Sequence, residues 1–279
     1  MNGFTTVMLE PSYDLMEPRE RAELAPGRMR YQVLGSLEVR GTTSGLVVKA
    51  HKIQQVLAIL LIRSGQIVPV ERLSSEVWGD RPPRRATATL QVYISQLRKL
   101  LHRPGTCPIV TRPPGYMLSL DGDELDLHVF QRLVQRGRAQ QKAARHEEAF
   151  ASFEAALGLW HGPALGGLRD SPAVDAFATW FEECRLECTE MLVDCGLALG
   201  RHRGLTGLLY TLIAEHPLRE VFYRQLMLAL YRSDRQADAL GVYRQARSTL
   251  TTTSVWSRAG RCATCTAPYC SPMTNSTCR

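Results

Sequence analysis

Much of what this 279-residue chain could do is excluded by what it lacks. No apolar run approaches the ~18 residues that a membrane-spanning helix needs. The N-terminus has no basic stretch leading into a continuous apolar core, as a secretory signal would. There is no Gly-x4-Gly-Lys-Ser/Thr loop and no dinucleotide fingerprint, so no recognisable cradle exists for a nucleotide cofactor. The histidines at 51, 102, 128, 146, 161, 202 and 216 fall at no metal-ligand spacing, and no motif assembles a nucleophile, a base and an orienting acid. The chain reads as a non-enzyme that needs no cofactor and no resident metal. A last absence is local: residues 81–120 hold seven Arg or Lys and no Asp or Glu.

That acid-free segment is the most informative part of the sequence. Against a modest net charge of +7, it concentrates positive potential in one place and suits a phosphate backbone. Its first part, from Arg84 and Arg85 through Leu101, has the apolar spacing of an amphipathic helix. Its second part, Ile109 to Leu120, reads as two short strands meeting at Pro113-Pro114-Gly115. A basic helix followed by a hairpin is how a winged helix enters one groove of DNA and touches the next.

The rest of the chain divides around it. Residues 1–28 lack periodicity and carry Pro11, Pro18, Pro26 and Gly27, which predicts a disordered leader; Met29, just before the first strand-like run, is an alternative start. A strand-like run covers 31–39 and another 46–48, followed by a helical stripe of Ile53, Val56, Leu57, Leu60 and Leu61. Residues 65–70 read as a connection to a second helix with Leu73, Val77 and Trp78 inward, closed at Gly79-Asp80. From about Asp126 the pattern is helix after helix, with Pro163, Pro172 and Pro217 between helices. Ala149-x3-Phe153-x2-Ala156 recurs as Ala239-x3-Tyr243-x2-Ala246, the small-aromatic-small spacing of tetratricopeptide-like hairpins, with a generic bundle as the alternative. The expected fold is an α+β winged-helix domain over 29–121, then an all-α tetratricopeptide-like domain over 126–250.

Several motifs make the reading narrower. Leu73-x4-Trp78-Gly79-Asp80-x-Pro82-Pro83, Leu90-Gln-Val-Tyr-Ile-Ser-Gln-Leu-Arg-Lys-Leu-Leu101 and Gly115-Tyr116-x-Leu118 together resemble OmpR-type winged helices, a module related to phosphorelay output domains. More narrowly, the chain resembles the antibiotic regulatory protein family. Trp160-His-Gly-Pro-Ala-Leu165, Glu215-His-Pro-Leu-Arg-Glu220 and Leu226-Met-x-Ala-Leu-Tyr-Arg232 are similar to that family's bacterial transcriptional activation domain. The likeness runs from about 29 to 250. It implies a cytoplasmic, nucleoid-associated activator of secondary-metabolite biosynthesis genes that binds direct repeats and recruits RNA polymerase. It also implies a homodimer on DNA, with the loop at 80–83 as a place for polymerase to touch. With no phosphoacceptor domain before it and no ATPase after it, the chain would be a short form, set by its abundance or by a partner or ligand of the helical domain.

On the reading helix, Leu90, Ile94, Leu97 and Leu101 fall within ~60° of one another and face a core. Val92, Ser95 and Lys99 then point outward, flanked by Gln91, Gln96 and Arg98. Gln can pair with adenine, Arg or Lys with guanine, and Val92 can meet a thymine methyl. Arg84 and Arg85 sit where the chain enters the helix and suit phosphate clamping. Thr111 and Arg112 precede the wing's turn, where Arg112 can enter a minor groove; Tyr116 is expected to pack beneath that turn. The alternative function is a helical-repeat interaction scaffold whose winged helix reads no sequence.

Eight cysteines complete the picture. Cys107, Cys184, Cys188 and Cys195 read as scattered small apolar residues of a reduced protein. Cys262, Cys265, Cys270 and Cys278 crowd the C-terminus, where the family's pattern stops after Leu250. Back-translating the segment from Val255 to Ala267 with G/C-ending codons and reading one base upstream restores Glu-Pro-Gly-Arg-Ala-Leu-Arg-Asp-Leu-His-Arg, close to the expected motif. Residues from about 251 on therefore read as a frameshifted, disordered tail. A small zinc knuckle is the rival, although the tail has no core residues around it.

Overall fold

The computed structural model describes residues 28–262, apart from 42–44, 47, 49, 80 and 103–106. Two compact units emerge: one reaches to Arg136 and includes Ser152–Cys188, and the other comprises Gly137–Ala151 and the chain from Thr189.

In the first unit, the strand-like run at 31–39 is two strands rather than one. β1 (Arg30–Gln32) turns back at Gly35-Ser36 into β2 (Glu38–Arg40), with Tyr31 opposite Val39. The turn has a physical cause beyond glycine. Asp126 draws the backbone N–H groups of Val33 and Leu34 to its carboxylate at 2.8 to 3.0 Å, so neither can serve a strand ladder. β3 (Gly45–Leu46) continues the sheet beside β2. β7 (Glu124–Leu125) lies parallel to β1, which completes the order β3-β2-β1-β7.

Three helices follow this sheet's first strands. α1 (His51–Ile62) buries its expected stripe, and Ala58 and Ile59 as well, so it is a core helix on nearly every side. α2 (Val70–Trp78) buries Leu73 and Val77, leaves Trp78 half-buried, and ends at Gly79, whose φ of +63° favours glycine. α3 (Ala86–Leu100) packs on both. A second sheet holds the hairpin β5 (Ile109–Arg112) and β6 (Gly115–Leu118), with β4 (Val68–Pro69) on the other side of β6. The connection expected at 65–70 thus contains a strand, too short to leave an alternation in the sequence.

The helical series comprises α4 (Asp126–Lys142), α5 (His146–Leu157), α6 (Pro172–Ala198), α7 (His202–Glu215), α8 (Glu220–Tyr231) and α9 (Gln236–Cys262). Pro172 stands at the first position of α6, where a missing N–H costs nothing. Phe130, Trp160 and Phe181 form a ring cluster in the first unit with centroids 5.2 to 5.7 Å apart, and the Arg185 guanidinium lies 5.0 Å over Trp160.

The same unit carries a chain of contacts from 161–171 to the strands and helices before residue 80. His161, Leu165 and Gly166 donate their N–H groups to the carbonyls of Leu34, Val33 and Gly35. Gln55 Nε2 donates to Asp170 at 2.5 Å, and the Ser171 hydroxyl to the Glu76 carbonyl at 2.6 Å. Packing of the first unit therefore continues well past residue 121.

In the second unit α7, α8 and α9 pack in succession. Gly196 lets α6 approach closely there, since a Cβ would meet Leu205 Cδ1 at 2.9 Å and Phe150 Cε2 at 3.2 Å and would push those side-chain ends aside. The repeated small-aromatic-small pattern has two different fates. Ala149, Phe153 and Ala156 are buried, whereas Tyr243 is 53% exposed and its neighbour Val242 faces inward. In the second copy Ala246 keeps its buried place, and Val242 takes the inward place of the aromatic.

Cys188 and Cys195 are buried, as apolar packing requires, and burial beside Asp194 pushes the Cys195 thiol up to about 11. Cys184 is half-buried, and Cys107 is exposed rather than packed, donating its thiol to the Ile109 carbonyl. α9 runs on to Cys262, past the point where a disordered tail was expected. Cys265, Cys270 and Cys278 lie outside the described residues, as does the leader through residue 27. Among the described residues no His, Cys, Asp and Glu group could hold a metal, and no helix is long and apolar enough to cross a membrane.

Asp126 is a measurable test of this arrangement. Burial pushes its carboxyl up to about 6, while N–H donors from Leu34, Val33 and Leu127 pull the other way. Asp126→Asn puts an NH2 group where a backbone donor now points, and should cost about 1–3 kcal/mol in urea unfolding. The folded pKa lies above the unfolded one, so the acid's contribution is complete below the unfolded value and declines as pH rises through about 6. The gap between wild type and Asp126→Asn should therefore be wider near about pH 4.5 than near about pH 7.

Candidate nucleic-acid interface

α3 and the β5–β6 hairpin bring most of the expected residues onto one exposed surface. Leu90, Ile94, Leu97 and Leu101 are buried, which turns the opposite side of α3 outward. Gln91, Val92, Ser95, Gln96 and Lys99 are all exposed there. Val92 is 52% exposed, an aliphatic side chain in water with polar neighbours on both sides. Arg84 and Arg85 are exposed in the turn that leads into α3, and Ala86 N–H closes that turn onto the Pro83 carbonyl. Trp78 of α2 faces Tyr93 of α3 with ring centroids 6.2 Å apart, which fixes the helix from behind. On the hairpin, Thr111 and Arg112 are exposed beside the Pro113-Pro114 turn. No acidic residue occurs in α3, β5 or β6, so nothing within these elements offsets their charge.

Arg98 has a different place from the one its sequence position suggests. Instead of reaching outward, it donates Nε to the Ile109 carbonyl at 3.0 Å and Nη2 to the Thr111 hydroxyl at 2.7 Å. Its guanidinium lies 5.9 Å over the ring of Tyr116. The fork geometry of guanidinium makes this a two-point attachment between α3 and the hairpin. Tyr116, 8% exposed, sits beneath the hairpin as support rather than on its outer face. A signal for this was available: Arg98 lies only ~80° around the helix from Leu90, nearer the core stripe than Ser95 or Lys99.

Gly115 is the other residue with a specific structural demand. It pairs with both Arg112 and Pro69, and a Cβ there would stand 1.8 Å from the Val68 carbonyl oxygen. The sequence marks this glycine as a turn former, but its role is to let β4 pass against β6.

Comparisons with known proteins agree with this architecture. Residues 47–118 match the family described as transcriptional regulatory protein, C terminal, and residues 125–253 match the bacterial transcriptional activator domain. Regulatory protein DnrI of Streptomyces peucetius is 34% identical over 230 residues, covering 80% of this chain and 85% of DnrI. The chain belongs to the antibiotic regulatory protein family. Transcriptional regulatory protein EmbR of Mycobacterium tuberculosis is 36% identical over 226 residues, 80% of this chain but 58% of EmbR. A solved structure of EmbR in complex with a low-affinity phosphopeptide superposes with a TM-score of 0.78 at 35% identity, covering 81% of this chain and 60% of that one. Members of this family are transcriptional regulators, and this chain carries their OmpR-type winged helix and helical domain. The helical match ends at 253, close to where the family's pattern stops in the sequence.

The Gly115 contact gives a sharp test. Gly115→Ala must displace backbone rather than a side chain, so it should lower stability by about 2 kcal/mol or more. A thermal melt indistinguishable from wild type would show that β4 and β6 can part without cost.

Proposed function

We propose that this protein is a sequence-specific activator of a secondary-metabolite (antibiotic) biosynthesis gene cluster. Residues 29–121 read direct repeats near promoters, and 126–250 carry the activating function that recruits RNA polymerase. The observation that supports this best is the continuous acid-free surface of α3 and the hairpin, with exposed hydrogen-bonding side chains at its centre and arginines at both ends.

In this reading α3 lies in the major groove. Gln91 and Gln96 offer paired donor and acceptor atoms for adenine, Lys99 donates to guanine, and Val92 meets a thymine methyl. Ser95 is small enough to let the helix axis approach the bases. Arg84 and Arg85 bind phosphates at the helix entry and set register without reading sequence. Arg112 extends from the hairpin to the adjacent minor groove or its phosphate edge. Arg98 contributes indirectly by holding hairpin to helix. Two copies on a direct repeat form the homodimer on DNA, and the exposed Arg81-Pro82-Pro83 loop is left for polymerase.

Selection of bound duplexes from a random library by the full chain, at two salt concentrations, tests the reading directly. A short direct repeat with steep salt dependence is the expected outcome; binding without enrichment overturns sequence reading, and no duplex binding moves the scaffold alternative ahead. On the selected site, Arg112→Ala should weaken binding and reduce the salt slope by about 0.9, one phosphate contact's worth. Arg98→Lys keeps the charge but loses the fork, so it should weaken binding with the slope unchanged. Equal affinity for both variants and wild type would refute these two roles.

A further inference from the structure

An open cavity of about 370 Å³ lies in the second unit, lined by Arg203, Thr206, Ser233 and Arg235. We propose that it is a binding site for a phosphorylated small molecule of sugar-phosphate size, recognised through its phosphomonoester.

The backbone explains why these four residues meet. Leu205, Leu209 and Leu212 of α7 face the core, so Arg203 and Thr206, three residues apart, share an outward side of its first turns. At the end of α8, Arg235 N–H closes on the Leu230 carbonyl and Asp234 takes a left-handed φ of +60°. That turn presents Ser233 and Arg235 to the same cavity as Arg203 and Thr206.

The chemistry of the lining selects an anion. Two arginines line one cavity, no aromatic ring lines it among the described residues, and the one carboxylate bonded to either arginine there is that of Asp238. Arg203 makes no ion pair among the described residues, and Arg235 gives only its Nε to Asp238, at 2.7 Å, which leaves its terminal nitrogens available. Forked donors of this kind match phosphate oxygens two at a time. The Thr206 and Ser233 hydroxyls bond the carbonyls of His202 and Ala229, and each can rotate its proton to an incoming oxygen. The volume falls within the range of small-ligand sites and exceeds what a bare phosphate fills. With polar side chains and no aromatic ring lining it among the described residues, the cavity suits a remainder that is small and polar.

Calorimetric titration of the full chain with ribose 5-phosphate is the test, with ribose, inorganic phosphate and a phosphoserine peptide as separate arms. Saturable binding of ribose 5-phosphate, silence with ribose, and at least a tenfold loss in the Arg203→Gln, Arg235→Gln double variant are expected. Arg203→Lys, which keeps charge without the fork, should show an intermediate loss. No saturable binding, or equal binding by wild type and double variant, overturns the site. Inorganic phosphate binding as tightly as the sugar ester overturns the sugar-phosphate assignment, and a peptide binding tenfold tighter than the ester shows that the phosphate arrives on a protein. Both arginines are exposed, so circular dichroism should show the double variant folded. Its duplex affinity without the ester should equal that of wild type, which keeps this test separate from the DNA reading.

Discussion

One buried carboxylate organises the first unit. Asp126 stands at the start of α4, yet its oxygens accept the N–H groups of Val33 and Leu34, more than ninety positions earlier, as well as that of Leu127. By doing so it ends β1 and sets the turn before β2. The carbonyls of that same turn then face 161–166 and accept three N–H donors from it. A side chain that desolvation disfavours as an anion is retained because three main-chain donors would otherwise be buried without partners. The parallel pairing of β1 with β7 brings Asp126 within reach, since Leu125 sits opposite Tyr31.

The supports of the surface formed by α3 and the hairpin are therefore remote in sequence. α3 rests on α1 and α2, and those helices are in turn held from outside. His51 lies 2.9 Å from the Gly167 carbonyl, Gln55 bonds Asp170, and Ser171 bonds Glu76. Glu76 itself also pairs with Arg63 and Arg72. These polar contacts lie on the side of α1 and α2 where an isolated winged helix would meet water. They make the connection at 161–171, between α5 and α6, part of the platform on which α3 rests.

Periodic features were legible in the sequence, and singular ones were not. The stripes of α1 and α3 repeat every three or four residues, so Leu57, Leu60, Leu90, Ile94 and Leu97 declared their burial without structural help. The exposed set from Gln91 to Lys99 followed as their complement. The break at 33–37 was hidden because Val33 and Leu34 are strand formers, and the carboxylate that diverts them lies far along the chain. β4 has two residues, too few for alternation. The copy at 239–246 kept its small residue inside at Ala246, but Val242 rather than Tyr243 filled the neighbouring inward place. Arginines showed the same difficulty in another form. Arg112 and Arg98 look alike in a basic segment, and what separates them is whether an acceptor lies within reach of the fork.

The attachment made by Arg98 gives the winged helix a property that neither of its parts has alone. With the guanidinium bonded on both the Ile109 carbonyl and the Thr111 hydroxyl, α3 and the hairpin are tied at two points. In the proposed complex, the interval between the two becomes a fixed calliper laid across successive grooves. A duplex whose helical twist matches that interval meets helix and hairpin together, while an overwound or underwound one must deform to do so, at a cost set by its own stiffness. Promoter topology would thereby enter recognition as a length, alongside the bases themselves.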